Sequence, residues 1–198
     1  MRRKMRKILP AAMLVILTAL WGAGFHAVNQ NVDLPVIQVF PKGEEAALEQ
    51  DFFNYADEEM DGYTVTVLDA EVQTAEKFLR QAGAQNQAEN LGDHTDYIYT
   101  VKVRIANETN EHTGEKGISL AQYALQGTDY ILSFDDTSFL IVNPHMPGAS
   151  FSLRKGTSME MVLTFGIMSK VTSLSHLEKD LPKLLISQYP HQKMLEIG

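Results

Sequence analysis

Apolar and polar positions alternate along much of the chain, a pattern typical of β-strands that bury one face. The clearest case is YIYTVKVRIAN, in which the apolar face consists of Tyr97, Tyr99, Val101, Val103 and Ile105. The stretches GYTVTVLDAEV, 62–72, and SMEMVLTFGI, 158–167, alternate in the same way. Shorter strand candidates lie at 36–40, 118–125, 129–134, 138–142, 149–153, 183–189 and 194–197.

One stretch among these strands has a helical pattern instead. In TAEKFLRQAG, 74–83, Thr74 can cap the first turn and Gly83 can end the helix. We expect loops at 44–61, which is acidic, and at 84–96, which is polar and aperiodic. A parallel α/β sheet would need helices between most strands. The pattern therefore predicts an all-β fold, an immunoglobulin-like antiparallel β-sandwich with one short helix insertion.

The N-terminus, MRRKMRKILPAAMLVILTALWGAGF, has a different pattern. Five basic residues precede the apolar stretch Ile8–Phe25, as in an export signal. One interpretation is a signal peptide cleaved after Gly24, and the other is a retained transmembrane anchor. We favour the anchor, because Gly22-Ala23-Gly24 is a weak cleavage site and about 18 apolar residues can cross a bilayer.

These patterns divide the chain into three parts. A signal peptide or signal anchor occupies 1–25, a polar linker 26–35, and the β-sandwich domain 36–198. The basic N-terminal flank predicts a single-pass protein of the cell membrane, with its N-terminus in the cytoplasm and its C-terminal domain outside. Cleavage would give the alternative, a secreted domain.

The charge and the cysteine content exclude several classes of binding partner and of chemical site. The chain of 198 residues has 17 basic and 25 acidic residues, and five of the basic ones precede Ile8. The rest of the chain therefore has a formal charge of about −13, which matches neither nucleic acid nor an anionic membrane surface. The absence of cysteine excludes disulfides, thiolate metal sites, a cysteine nucleophile and a lipid-bearing cysteine.

Several stretches in this order resemble a known group of proteins. They are DGYTVTVLDAEV, YIYTVKVRIAN, GISLAQYAL, VNP, SLRKGTSMEMVLTFGI and KLLISQYP. Over most of 36–198 the chain resembles a family of uncharacterised exported proteins of Gram-positive bacteria, classed as a domain of unknown function. VRIAN and KGTSMEMVLTF are also similar, more loosely, to secreted immunoglobulin-like or telokin-like domains. The resemblance implies a sandwich outside the cytoplasm and transfers no catalytic or binding residues.

Candidate metal ligands lack the spacing of known sites. The acids Asp57, Glu58, Glu59 and Asp61 do not alternate as a calcium loop requires, so we expect a solvated acidic loop. We expect Asp135-Asp136 to form a turn. No two histidines have the spacing of a helical zinc site, although His94 and His112 flank the 97–107 strand and could approach each other. The histidines are His26, His94, His112, His145, His176 and His191.

Two short motifs have simple structural interpretations. KGT, 155–157, could hold an anion, but a strand rather than a helix follows it, so we expect a hairpin-type turn with Gly156 at positive φ. Asn107-Glu108-Thr109 matches the N-glycosylation acceptor, which matters only in a eukaryotic secretory pathway.

An aromatic cluster lies in the acidic stretch 44–61. Phe52, Phe53 and Tyr55 could form a contact patch for a partner or could cover the open end of the sandwich. We favour the second interpretation, because large aromatic side chains are usually buried.

The sequence contains no catalytic motif, and we assign no catalytic, cofactor-binding or metal-binding residue. We expect a non-enzymatic surface interaction or envelope accessory domain that binds another envelope protein or a cell-wall component, with no cofactor. The alternative is an envelope glycan hydrolase that uses two carboxylates in a cleft, about 5–10 Å apart. The chain has many acids, but no spacing selects such a pair.

Overall fold

A computed structural model describes residues 2–30, 34–54, 60–91, 95–111, 117–170 and 172–198 of the chain. Contacts between Cα atoms divide the chain into two compact units, Met1–Leu34 and Pro35–Gly198. The described strands all belong to the second unit.

The first unit is built on helix α1, Arg2–Asn29. Trp21 stacks on Phe25 along this helix, with ring centroids 5.5 Å apart, and both side chains are exposed. The prediction of an N-terminal helix is therefore confirmed. Within the described part of the chain, however, no helix combines the length and the apolar character needed to cross a membrane.

The second unit is made mostly of short strands with a few short helices between them. Its described strands are β1 Val36–Phe40, β2 Glu45–Ala47, β3 Tyr63–Thr74, β4 Tyr97–Asn107, β5 Ile118–Ser119, β6 Ala124–Gln126, β7 Ile131–Ser133, β8 Ser150–Phe151, β9 Thr157–Ile167, β10 Lys183–Leu185 and β11 His191–Glu196. Its described helices are α2 Ala75–Gln81, a 3₁₀ helix Gln85–Asn90, α3 Asp136–Val142 and α4 Leu174–Lys179.

Two sheets account for most of these strands. One has the order β1-β11-β10-β6-β7 and the other the order β2-β3-β4-β9, while β5 pairs with β8. The pairings are antiparallel except for that of β1 with β11, which is parallel. In the four-stranded sheet, Val65 lies opposite Ile105, and Ile105 lies opposite Met159.

One hydrophobic core joins the two sheets. The inward positions of β3, β4 and β9 pack in the same cluster as those of β6, β10 and β11, including Val67, Val103, Leu163, Leu125, Leu184 and Leu195. A smaller cluster of Phe78, Leu79, Ala84, Leu91 and Ile98 lies where α2 covers the start of β4. Burial of each large aliphatic or aromatic side chain in these clusters contributes about 1.5–3 kcal/mol. The fold is thus mostly β and consistent with a β-sandwich.

Most of the predicted elements are present. The long candidates at 62–72, 97–107 and 158–167 correspond to β3, β4 and β9. The predicted helix corresponds to α2, and the Lys77 backbone N–H donates to the Thr74 hydroxyl at 3.2 Å, as expected of an N-cap. The candidate at 118–125 contains β5 and the start of β6 instead of one strand.

The strand prediction at 138–142 is wrong, because these residues belong to helix α3. The Asp135 carboxylate accepts from the backbone N–H groups of Thr137 and Ser138, at 3.1 and 3.2 Å, and so caps a helix where a turn was expected. Phe139 is buried while Leu140 is 41% exposed, which is the burial of a one-sided helix.

The prediction of a single inserted helix is also wrong. Helices α3 and α4 lie outside the predicted one, and the 3₁₀ helix lies within the expected loop at 84–96. Strand β2 lies within the expected loop at 44–61. These elements are short, so each gives too few residues for a periodic pattern.

Candidate functional site

Lys193 carries the most buried charge among the described residues. Its side chain is 1% exposed, and its Nζ lies 2.6 Å from Glu49 Oε2 and 2.7 Å from Asp51 Oδ2. Nζ also donates to the backbone oxygen of Ala47 at 2.7 Å. Asp51 is itself 2% exposed, so this ion pair is removed from water. Such a pair offsets its desolvation only when both partners and their hydrogen bonds are in place.

Local backbone geometry brings the acids to this lysine. Lys193 occupies an inward position of β11, in alternation with the buried Leu195 and Ile197. After β2 the chain turns at Glu49, whose φ of 54° lies in the left-handed region. The backbone N–H of Asp51 donates to the Leu48 oxygen at 3.1 Å and closes this turn.

His191 extends the cluster towards the surface. Its Nδ1 lies 2.9 Å from Asp51 Oδ1, and the imidazole is 35% exposed. The Ser187 hydroxyl donates to the backbone oxygen of His191 at 2.9 Å, so it does not act on the imidazole. An Asp–His pair can take part in hydrolysis when a nucleophilic side chain, such as a serine hydroxyl, contacts the other nitrogen of the imidazole ring. Within the described residues, Nε2 of His191 has no such contact.

The same cluster offers possible metal ligands. One atom each of Glu49, Asp51 and His191 lies within 4.8 Å of the others. Lys193 already places its ammonium between the two carboxylates, and a metal cation at this position would be repelled by it. The arrangement therefore fits an internal ion pair better than a metal centre.

A second group, Asp129, His176 and Asp180, lies nearer the surface and also has ligand atoms within 4.8 Å. His176 Nε2 is 2.8 Å from Asp129 Oδ1. Asp180 accepts from the backbone N–H of Thr128 at 2.6 Å and from its hydroxyl at 2.9 Å, and these bonds lower the pKa of Asp180. The carboxylate thus holds the turn at Thr128, a structural role.

The same turn is closed by an aromatic side chain. The Tyr130 hydroxyl donates to the backbone oxygen of Asp180, and its ring meets that of His176 edge to face at 5.5 Å. Burial, followed by the nearby charge of Asp180, raises the pKa of Tyr130. The Tyr130 hydroxyl therefore stays protonated and keeps its hydrogen bond to the Asp180 oxygen.

A groove of about 360 Å³ lies beside α4, where β3 ends and β4 begins. Its apolar lining comes from three elements and the residues after α4, and consists of Val72, Tyr97, Tyr99, Leu174, Leu177 and Leu181. Its polar lining consists of Gln73, Thr74, Lys77 and Glu178. Burial raises the pKa of the Tyr99 hydroxyl, so this group is neutral. The volume and the lining are those of a site for an apolar group.

The carboxylates of the described residues do not gather in this groove. Glu178 is the single acid of its lining, whereas a glycosidase needs two facing carboxylates. Glu49 and Asp51 are close together but share Lys193. The groove therefore fits the binding of an apolar group better than acid–base chemistry.

The candidate metal residues from the sequence are dispersed or lie outside the described residues. Asp57, Glu58, Glu59, His94 and His112 belong to the undescribed part of the chain, and so does Tyr55. His26 lies on α1, and His145 is exposed after α3. His176 and His191 each pair with an aspartate, in different clusters.

The two short motifs have structural roles. Gly156 has a φ of 73°, as predicted for the turn at 155–157, and its N–H donates to the Asn107 oxygen at 2.7 Å. The Asn107 side chain is buried and donates to the backbone oxygens of Asn110 and Leu153, at 2.9 and 2.7 Å. Its amide is therefore engaged within the fold and not presented as a glycosylation acceptor.

The aromatic cluster at 52–55 is at least partly in the core. Phe53 is 6% exposed and its ring lies 5.8 Å from that of Tyr123. Phe52 stacks on Tyr189 at 6.3 Å, and their backbones form an isolated bridge. The expectation that this cluster is buried instead of forming a contact patch is confirmed for Phe53.

Lys193 and the groove were missed by sequence reasoning. The signal for Lys193 is the alternation KMLEI, which places a lysine at a position otherwise taken by Leu195 and Ile197. Sequence alone gives no signal for the groove, because its walls come from segments that are distant along the chain.

Comparison with known proteins identifies a family but no activity. The family model described as "Domain of unknown function (DUF5028)" matches residues 37–193. Among solved structures, the chain is similar to the crystal structure of a functionally unknown protein from Listeria monocytogenes EGD-e, with 16% sequence identity and a TM-score of 0.41. That similarity covers 72% of this chain and 76% of the other. No curated protein matches.

Proposed function

This chain belongs to the DUF5028 family, a domain of unknown function, and we propose that it is a non-catalytic interaction module that binds a partner protein through its groove. The observation that carries the proposal is the groove beside α4, with its lining of aliphatic and aromatic side chains and about 360 Å³ of space. Aromatic and apolar pockets of this kind accept the anchor side chains of a partner.

The chemistry of the lining selects the occupant. Leu177 is 2% exposed and forms the floor, whereas Leu181 is 54% exposed. Lys77 and Glu178 bring one charge of each sign, so the groove as a whole favours neither an anion nor a cation. A polypeptide segment with a large apolar side chain fits this combination, since its flanking amides can meet the polar residues.

We also propose that the domain lies outside the cytoplasm and that its β-sandwich is immunoglobulin-like. The five basic residues before an apolar stretch, and the strongly acidic body, support export of the domain across a cell membrane. The resemblance to exported proteins of Gram-positive bacteria supports a cell of that kind. There the partner of the groove would be another envelope protein. Two sheets around one core support the immunoglobulin-like class, which an experimental structure compared strand by strand would test.

Peptide selection tests the groove directly. Random peptides displayed on phage are selected on the immobilised protein, and the affinity of the selected peptides is measured by calorimetry. We expect peptides with large apolar residues, and we expect Leu181→Glu to weaken their binding by at least about tenfold because it places a charge at the apolar groove.

The matched control is Leu140→Glu, which changes a similarly exposed leucine on α3 that does not line the groove. It should leave the affinity unchanged. Equal losses in Leu181→Glu and Leu140→Glu, or the absence of any saturable peptide, would contradict the proposed site.

A further inference from the structure

Sheet edges expose unpaired backbone groups. The two larger sheets have four edges among the described residues, and the protein closes three of these four itself. At β9, the Asn143 side chain acts as a strand would, accepting from the Val162 N–H at 3.0 Å and donating to the Val162 oxygen at 2.8 Å. At β2, the outward oxygen of Ala47 accepts from Lys193 Nζ. Strand β7 is three residues long, and Phe134 just after it bridges to β9.

Strand β1 is the edge without such closure. The Val36 N–H donates to the Pro190 oxygen at 3.1 Å, so alternate residues from Val36 onward direct their backbone groups towards β11. The N–H and C=O groups of Ile37 and Val39 therefore face away from the sheet, and no described residue pairs with them. These two side chains are 62% and 44% exposed, and VIQVF contains no charge, proline or bulge.

We propose that β1 pairs with β1 of a second copy of this chain, antiparallel and about a two-fold axis at Gln38. In that register Ile37 of each copy lies opposite Val39 of the other, and each such pair exchanges both of its backbone hydrogen bonds. Every outward backbone group of Ile37 and Val39 is then satisfied. The apolar side chains also meet as cross-strand pairs, and the closed two-fold contact leaves no copy of this edge open.

Net charge opposes the association of two copies, and it opposes association least at this strand. The body after the N-terminal basic residues carries about −13, so two copies repel each other over most of their surface. The strand VIQVF is uncharged, and it is where two such bodies can approach with the least repulsion. Two five-residue strands bury less than the roughly 1,200 Å² typical of stable interfaces, so the dimer is weak and strengthens with added salt.

Sedimentation of a concentration series tests the proposal, on the full chain and on residues 35–198, which contain both hydrophobic clusters. We expect the average mass to rise towards that of a dimer as concentration increases. Val39→Pro removes an outward N–H at an edge position, and Ile37→Lys adds a charge without changing the backbone. Each should weaken the dimer by at least about tenfold.

The control is Ile131→Lys, which charges a comparably exposed isoleucine on the edge strand β7 and should dimerise as the wild type does. Circular dichroism and urea midpoints identify any variant that fails to fold, and Ile37→Lys serves if Val39→Pro does not fold. A wild type that stays monomeric at every concentration overturns the proposal, as does a dimer unaffected by both β1 variants. A wild-type monomer that binds an added blocked peptide of unrelated β-strand sequence assigns the edge to a foreign strand instead and also overturns it.

Discussion

At the residue scale, Lys193 joins strand β11 to the segment that follows β2, through its contacts with Glu49 and Asp51. One ammonium group contacts two carboxylates and a strand oxygen, in a site that is 1% exposed at the lysine. Loss of the lysine takes from the buried Asp51 carboxylate the ammonium that offsets its desolvation, which is much more costly than loss of an exposed ion pair. The cluster is therefore a structural centre that also closes the edge of β2.

Lys193→Met should destabilise the protein by about 3–5 kcal/mol, because it removes the ammonium from the buried Asp51 carboxylate and leaves that carboxylate with its contact to His191. Asp51→Asn in the same background should recover part of this loss, so the double-mutant cycle should give a coupling above about 1 kcal/mol. Urea unfolding measures each free energy.

The control pair is Lys102–Glu160, which is as close, at 2.6 Å, but has side chains 48% and 54% exposed. Its cycle should give a coupling of about 0.2–1 kcal/mol. Equal couplings for the two pairs would remove the structural role assigned to Lys193.

At the element scale, the long strands could be predicted from sequence and the short elements could not. Alternation over 97–107 identifies β4, because one face meets the core at every second residue. The short apolar run at 139–142 fits a strand or a helix equally well. The hydrogen bonds that the Asp135 carboxylate accepts at the N-terminus of α3 favour the helix. Helix α4 and the groove depend on contacts between distant segments, which no local pattern records.

Asn143 caps the C-terminus of helix α3, and its side chain closes the edge of β9. Asn143→Asp keeps the acceptor for the Val162 N–H but loses the donor to the Phe139 and Val162 oxygens, both at 2.8 Å. We expect a loss of about 1–3 kcal/mol, since a buried acceptor that loses its donor keeps its desolvation cost. Urea unfolding measures the loss, and hydrogen exchange at Val162 should become faster.

The matched control for this prediction is Asn54→Asp, which changes an exposed asparagine and should alter the free energy of unfolding by less than about 0.5 kcal/mol. If Asn143→Asp were as stable as this control, the strand-like role of the Asn143 side chain would be refuted.

At the scale of the whole molecule, a basic N-terminal helix and an acidic β body occur in one chain, which supports the proposal of export. We expect the body to be digested by protease added to intact Gram-positive cells, or to be recovered from the medium. The intact mass of the recovered protein then shows whether residues 1–25 have been retained or cleaved. Protection of the body until the cells are lysed would contradict export.

Binding of a partner through the groove can be observed residue by residue, by methyl NMR of the protein titrated with a selected peptide. We expect saturable shifts at Val72, Leu174, Leu177 and Leu181, with Leu140 and Ile131 unchanged. Shifts confined to β1 or to the surroundings of Lys193, or no shifts at any peptide concentration, would contradict it.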